Sequence, residues 1–330
     1  MNKLFLGGVT ALSLTMAATV MSAQELTVYS GRGEALVGPI FTQFERDTGI
    51  TVNVRYGGTA ELATLLLEEG DQSPADVFWA QDGGALGALA SSFAELPAEV
   101  NEGVAAPFRN HADRWAPTSG RARVLVYSTE RVSEDEIPAS IKDLVNEEYR
   151  GRVAWAPTNG SFQAFITAFR ITEGEDAAKA WLEGMIANDA VVINNNGNQI
   201  VGIANGDFDF GLVNNYYLGR YTGPDPEFPV DQTHFAAGDI GNLLNVAGAG
   251  VVAASDNQDV ARQFIDYLLS VPAQQFITTT GNEYPVIPGV IENPTLEPYA
   301  TLLEISPAVD IDQISDLEGT LALLTEVGLL

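Results

Sequence analysis

Hydrophobic positions along the chain alternate between two periods, and the changes of period divide it into short strands and helices. Leu26-Thr-Val-Tyr29 reads as a strand, after which Leu36, Val37, Ile40, Phe41 and Phe44 recur at the spacing of one helix face until Gly49 stops it. Ile50, Val52 and Val54 return to period two and lead to Tyr56. Thr59 then starts a helix through Leu62, Leu65 and Leu66 to Gly70, Pro74 breaks the pattern, and Asp76-Val-Phe-Trp79 reads as the next strand. Strand, helix, strand repeated in this way predicts an α/β fold with a doubly wound sheet and right-handed crossovers.

The second half repeats the scheme. Arg121-Ala-Arg-Val-Leu-Val-Tyr127 alternates as a strand where the chain can cross between lobes, and Gly151-Arg-Val-Ala-Trp155 forms the next. Asn159 is placed to cap a helix running from Phe162, Glu175 to Ala187 reads as another helix, and Val191-Val-Ile193 leads into Asn194-Asn-Asn-Gly197. The same strand-to-cap design is predicted at Asn159, Asn196 and Asn214. Val246-Ala-Gly-Ala-Gly-Val-Val-Ala253 is a small-residue strand followed by a helix through Val260, Phe264, Tyr267 and Leu268, which returns the chain to its first lobe.

The most chemically distinctive stretch is Phe208 to Tyr221. Phe208, Phe210 and Leu212 alternate as strand residues, and Asn214 or Asn215 is predicted to cap a helix whose first turn carries Tyr216 and Tyr217. In an open α/β sheet this is the carboxyl end of a strand, where ligands bind and a helix N-terminus favours anions. A phenol loses its proton at a pH of about 10, so it serves as a metal ligand only for a hard, highly charged cation such as ferric iron.

Several segments carry a family resemblance. Asn214-Asn215-Tyr216-Tyr217, with Tyr29-Ser-Gly-Arg-Gly-Glu34, Ser73-Pro-Ala-Asp-Val-Phe-Trp79, Gly151-Arg-Val-Ala-Trp155 and Glu283-Tyr-Pro285, resembles the periplasmic ferric-ion-binding proteins of ABC importers. The resemblance implies a two-lobed, type II periplasmic binding-protein fold, with residues 24–120 and 241–300 in the N-lobe and 121–240 and 301–330 in the C-lobe. It implies Tyr216 and Tyr217 as paired iron ligands, Tyr127 as an additional one, and a small anion such as carbonate or bicarbonate completing the shell. Arg121, Asn159, Gly160, Ser161, Asn196 and Asn214 match the anion side. Tyr56, at a strand end, is a further phenolate candidate. Relatives can carry His and Glu where this chain has Gly33 and Gln81, so a tyrosine-dominated site is expected.

Composition narrows the partners. Met1-Asn-Lys3 followed by the apolar run Leu4 to Val20 and small residues up to Ala23 reads as a secretory signal over residues 1–23, and the absence of Cys removes disulfides and a lipid-attachment site. A diffusing periplasmic monomer that docks on an inner-membrane permease is the expectation. Sixteen basic against 44 acidic residues give a formal charge of −28, which argues against nucleic acid or an anionic membrane as partner. The carboxylates are scattered, and at a screening length of about 3 Å in 1 M salt they serve solubility rather than a site. A receptor for polyamine, thiosulfate or molybdate is the alternative within binding proteins. A secreted hydrolase is the alternative outside them, but two isolated histidines, His111 and His234, and no Cys offer no evident nucleophile and base.

Overall fold

The computed structural model describes residues 24–330, so the predicted signal segment 1–23 lies outside the described residues. The first half begins with β1 (Glu25–Ser30), α1 (Glu34–Thr48), β2 (Thr51–Tyr56), α2 (Thr59–Glu69), β3 (Val77–Ala80), α3 (Gly83–Ala88) and the short α4 (Ala98–Glu102). Gly49 ends α1 with φ of 74°, a left-handed conformation that costs glycine nothing. The long β4 (Ala116–Ser128) then leads into β5 (Val153–Trp155), α5 (Gly160–Glu173), α6 (Glu175–Ala187), β6 (Val191–Val192), α7 (Asn196–Asn205), β7 (Phe210–Asn214), the one-turn α8 (Gly219–Thr222) and β8 (Val230–Thr233). The chain finishes with β9 (Leu244–Val251), α9 (Gln258–Leu268), α10 (Val271–Gly281), α11 (Tyr299–Ile305) and α12 (Leu317–Glu326).

The strands follow one path, β2-β1-β3-β9-β4-β7-β5-β6, with β8 also on β4. Parallel pairs β1/β2 and β1/β3 lie at one end and β5/β6 and β5/β7 at the other, while β9 and β4 run antiparallel between them. The change of partner along β4 is sharp. Residues 116–122 pair with β9, whereas Arg123 to Tyr127 pair with β7, opposite Asn214 to Phe210. The exchange of sheet partners thus falls between Ala122 and Arg123, next to Arg121, where the sequence predicts a crossing between lobes.

Each half buries an aromatic core. Phe41 stacks on Phe264 at 5.5 Å, with Phe44 and Trp79 edge-on to Phe264, and the Trp79 indole N–H donates to Thr118 Oγ1 at 2.9 Å, so its polar edge is not stranded. In the other half Trp155, Phe162, Phe165, Phe169 and Trp181 pack around α5 and α6. Removing one such ring costs about 3–5 kcal/mol. These cores hold the strand ends that carry the polar groups described next. Among the described residues no helix is long and apolar enough to cross a membrane.

Candidate functional site

β7 delivers the tyrosine pair, but not through a helix cap. Asn214 Oδ1 accepts from Arg123 at 3.2 Å, and Asn215 Oδ1 accepts from the Ala122 N–H at 2.9 Å, so both side chains are committed to the crossing strand. Residues 215–218 accordingly form successive turns, and helix resumes only at α8. Tyr216 and Tyr217 thus sit in a turn rather than in a first helical turn. Their rings stack with centroids 4.4 Å apart and planes 28° from parallel. Tyr216 is buried, and its hydroxyl oxygen accepts from Gln81 Nε2 at 3.1 Å and from Asn214 Nδ2 at 3.5 Å.

Guanidinium groups surround this pair. Arg121 lies 5.4 Å from the Tyr216 ring centroid, and Arg220 lies 5.6 Å from Tyr216 and 4.8 Å from Tyr217. Burial lowers Arg123 to about 10, and the nearby Tyr216 and Tyr217 oxygens work against that shift. Tyr217 itself is pushed strongly upward, first by burial and then by Tyr216 beside it. The neutral form of Tyr217 is thereby favoured; a bound hard cation would oppose that shift, and the arginines would stabilise the resulting charge.

One carboxylate organises two of these arginines. Glu283, fully buried, accepts from Arg32 Nη1 and Arg121 Nη2, both at 3.2 Å, and also from Arg32 Nη2 and Ser119 Oγ. Burial alone would raise its pKa, but Arg32 and Arg121 outweigh that and hold it below the usual carboxylate range. Arg121 also donates to the Gln81 carbonyl, which ties the crossing strand to the segment facing Tyr216.

The start of α5 completes the site. Asn159 caps it as predicted, its Oδ1 accepting from Ser161 N at 3.1 Å and Phe162 N at 3.3 Å. Gly160 faces the other half of the molecule: a Cβ there would lie 2.6 Å from Asp82 Oδ2 and 3.5 Å from Thr59 Cβ. Asp82 Oδ2, Ser161 Oγ, Asn196 Nδ2 and Arg121 Nε are buried with no hydrogen-bond partner. Each such atom costs about 1–3 kcal/mol if left unpaired. Asp82 Oδ2, Ser161 Oγ and Arg121 Nε belong to groups near the start of α5, where a polar ligand would satisfy them.

Not every sequence candidate converges here. Asn195, not Asn196, caps α7 by accepting from Asn198 N at 2.8 Å; Asn196 is the first helical residue and fully buried. Tyr127 stands four residues beyond Arg123 on β4, about 13 Å along the strand, opposite Phe210 and Asp231. Tyr56 ends β2, on the far side of β1 from β3, with its hydroxyl over Gly38 of α1. Burial and then nearby carboxylates raise both phenols, Asp231 and Glu134 at Tyr127 and Glu34 at Tyr56, which disfavours a phenolate at either place. His111 is exposed beside Asp312, and His234 lines a groove with Thr233 and Glu297 whose wall also includes Asn215 and Leu218, on either side of the tyrosine pair. Sequence reasoning gave no role to Glu283, Gln81, Asp82 or Arg220. For Glu283 a signal existed, since Glu283-Tyr-Pro285 was among the matching segments. Among the described residues no group of three or more His, Cys, Asp or Glu could hold a metal.

The profile of the bacterial extracellular solute-binding proteins matches residues 29–275. The chain is 32% identical to the major ferric iron-binding protein of Neisseria meningitidis serogroup A, over 96% of this chain and 97% of that one. It superimposes on iron-bound HitA from Pseudomonas aeruginosa with a TM-score of 0.87 and 32% identity, covering 92% of this chain and 99% of HitA. A Trichodesmium protein in complex with iron and citrate matches with a TM-score of 0.75 and 27% identity, over 93% of this chain and all of that one. The fold is the two-lobed type II architecture of these neighbours.

Proposed function

Because the chain belongs to the bacterial extracellular solute-binding protein family, we propose that it captures ferric iron with an accompanying anion in the periplasm and delivers it to the permease of an ABC importer. Tyr216 and Tyr217 are the protein's own iron ligands in this reading. The observation that carries it is the stacked phenol pair with Arg32, Arg121, Arg123 and Arg220 near it, and no cluster of His and carboxylates among the described residues.

The chemistry follows from the donor set. Iron binding replaces two phenolic protons, and the arginines hold the phenolates without competing as ligands, since a guanidinium has no lone pair to offer. Two phenolates leave an octahedral ferric shell unfilled, so exogenous oxygen donors complete it. Carbonate or bicarbonate fits the cradle of Asn159, Gly160, Ser161 and Asn196, and the citrate bound with iron in the Trichodesmium neighbour is a second anion of suitable chemistry. Arg121 Nε is free to donate to such an anion, while its terminal nitrogens stay with Glu283 and Gln81.

The lobes of this reading are residues 24–120 with 241–300 and residues 121–240 with 301–330. The exchange of sheet partners between Ala122 and Arg123 supports the first boundary. Support for the last comes from α12, where Thr320 shares a 2.7 Å hydrogen bond with Thr167 of α5 and Asp316 pairs with Arg170. Closing the lobes brings Gln81 to Tyr216 and Asp82 to Gly160, burying the cargo and shaping the surface offered to the permease. The protein acts in this scheme as a monomeric carrier that transforms nothing.

Metal analysis and an absorption spectrum of protein purified from the periplasm test the proposal. One iron per chain and a visible phenolate-to-iron band are expected. Iron-free protein that develops no such band on adding ferric salt with bicarbonate or citrate would refute it.

A further inference from the structure

Resting on the reading that the cargo's anion sits at the start of α5, we propose that Asp82 selects an anion that carries a hydrogen, such as hydrogen phosphate or bicarbonate, over one that carries none, such as sulfate. Asp82 follows the end of β3 and caps α3, with Oδ1 accepting from the Ala85 N–H at 3.0 Å. Its other oxygen, Oδ2, is spoken for by nothing, although the residue is only 2% exposed. That oxygen points at the first turn of the fourteen-residue α5, 2.6 Å from where a Cβ on Gly160 would stand.

An ionised carboxylate only accepts hydrogen bonds. Placed against an anion with no hydrogen, it brings two negative oxygens together in a site closed to water, where repulsion is weakly screened. Placed against an anion with an O–H, it accepts that hydrogen. The groups around it are otherwise suited to donate: Ser161 Oγ and Arg121 Nε are both buried without partners, and Arg121 is near enough to act electrostatically on Asp82. Donors with one charged acceptor among them match an anion that has several lone pairs and a single hydrogen. Burial pushes the Asp82 carboxyl up, while the Ala85 N–H and Arg121 favour its ionised form. Gly160 lets this carboxylate approach the helix start, because a Cβ there would stand 2.6 Å from Oδ2.

The test is titration of inorganic phosphate and of sulfate into iron-free protein by calorimetry at neutral pH, for the native chain and for Asp82→Asn. Asn keeps the shape but replaces the charged acceptor with a donor-bearing amide. Native protein should favour phosphate by about tenfold or more, the scale set by one unsatisfied buried polar contact. Asp82→Asn should shrink that preference to within about threefold, mainly by a gain in sulfate affinity. A preference unchanged in Asp82→Asn, equal binding of both anions by the native chain, or binding of neither overturns the proposal. Circular dichroism of the variant checks folding, and Asp82→Ser, which also removes the charge, must shift the preference in the same direction if Asn disturbs the α3 cap. The iron band is recorded separately: its absence with a normal anion preference would refute the cargo assignment and leave the role of Asp82 standing.

Discussion

Tyr216 and Tyr217 present their rings face to face, 4.4 Å between centroids, while the Tyr216 hydroxyl accepts a hydrogen bond from Gln81, just after β3. Tyr→Phe at either position keeps the ring and the stack but removes an oxygen. Each single variant should shift and weaken the visible band and lower iron retention by at least about tenfold against a competing chelator, and the double variant should lose the band. Stoichiometric iron and an unchanged spectrum in the double variant would exclude the pair as ligands.

Binding should also be visible as acid release. Because burial and its neighbour push the Tyr217 phenol up, it is protonated throughout the neutral range in the absence of metal. Loading iron on two phenols should therefore release about two protons per ion, beyond those from hydrolysis of the iron source. A pH-stat titration with a preformed ferric chelate measures this, with the double Phe variant as its blank. Affinity should fall as the pH is lowered.

Glu283 offers a stability test. Its folded pKa is held below the ordinary value of 4.5 by Arg32 and Arg121, so its contribution is fully present above that value and is lost as pH falls through the lower folded one. Glu283→Gln leaves two buried guanidiniums without their countercharge and should cost about 3–5 kcal/mol in urea unfolding at pH 7. Below pH 4 the gap between native and variant should narrow. A gap that stays constant with pH would mean that Glu283 contributes packing rather than charge.

Gly160 probes the approach of the lobes. A methyl group there meets Asp82 Oδ2 at 2.6 Å, a distance that forces one side to move, while a first-turn helix position otherwise accepts Ala. Gly160→Ala should keep the thermal midpoint of the iron-free protein within a few degrees yet weaken retention of iron with its anion by about tenfold. Unchanged retention would show that closure does not bring these groups together.

Periodicity made most of the elements legible: α6 spans Glu175 to Ala187 as read from the sequence, and Gly49 ends α1. The tyrosine pair was equally plain, as adjacent residues in one short turn. What a linear reading does not supply is which distant groups share a strand end. Tyr127 lies on the same strand as Arg121 and Arg123, yet sheet register sends it to the opposite end. Glu283 meets Arg32 across 251 residues of chain, a pairing that no local pattern encodes. The caps were misread where side chains had a stronger call on them. Asn214 and Asn215 were available to start a helix but bind β4 instead, which leaves the tyrosines in an open turn.

The exchange of partners along β4 makes one peptide a strain gauge for the whole molecule. Ala122 ends the run paired with β9, and Arg123 begins the run paired with β7. Rotation of one lobe against the other would twist the chain close to that bond as well as between β8 and β9. The Ala122 N–H points to Asn215 Oδ1 at 2.9 Å, Asn215 N–H returns to the Ala122 carbonyl at 3.0 Å, and the tyrosine turn starts one residue later. Opening and cargo grip are thus read by the same pair of hydrogen bonds, and the exchange rate of the Ala122 amide hydrogen should report the position of the lobes without any label.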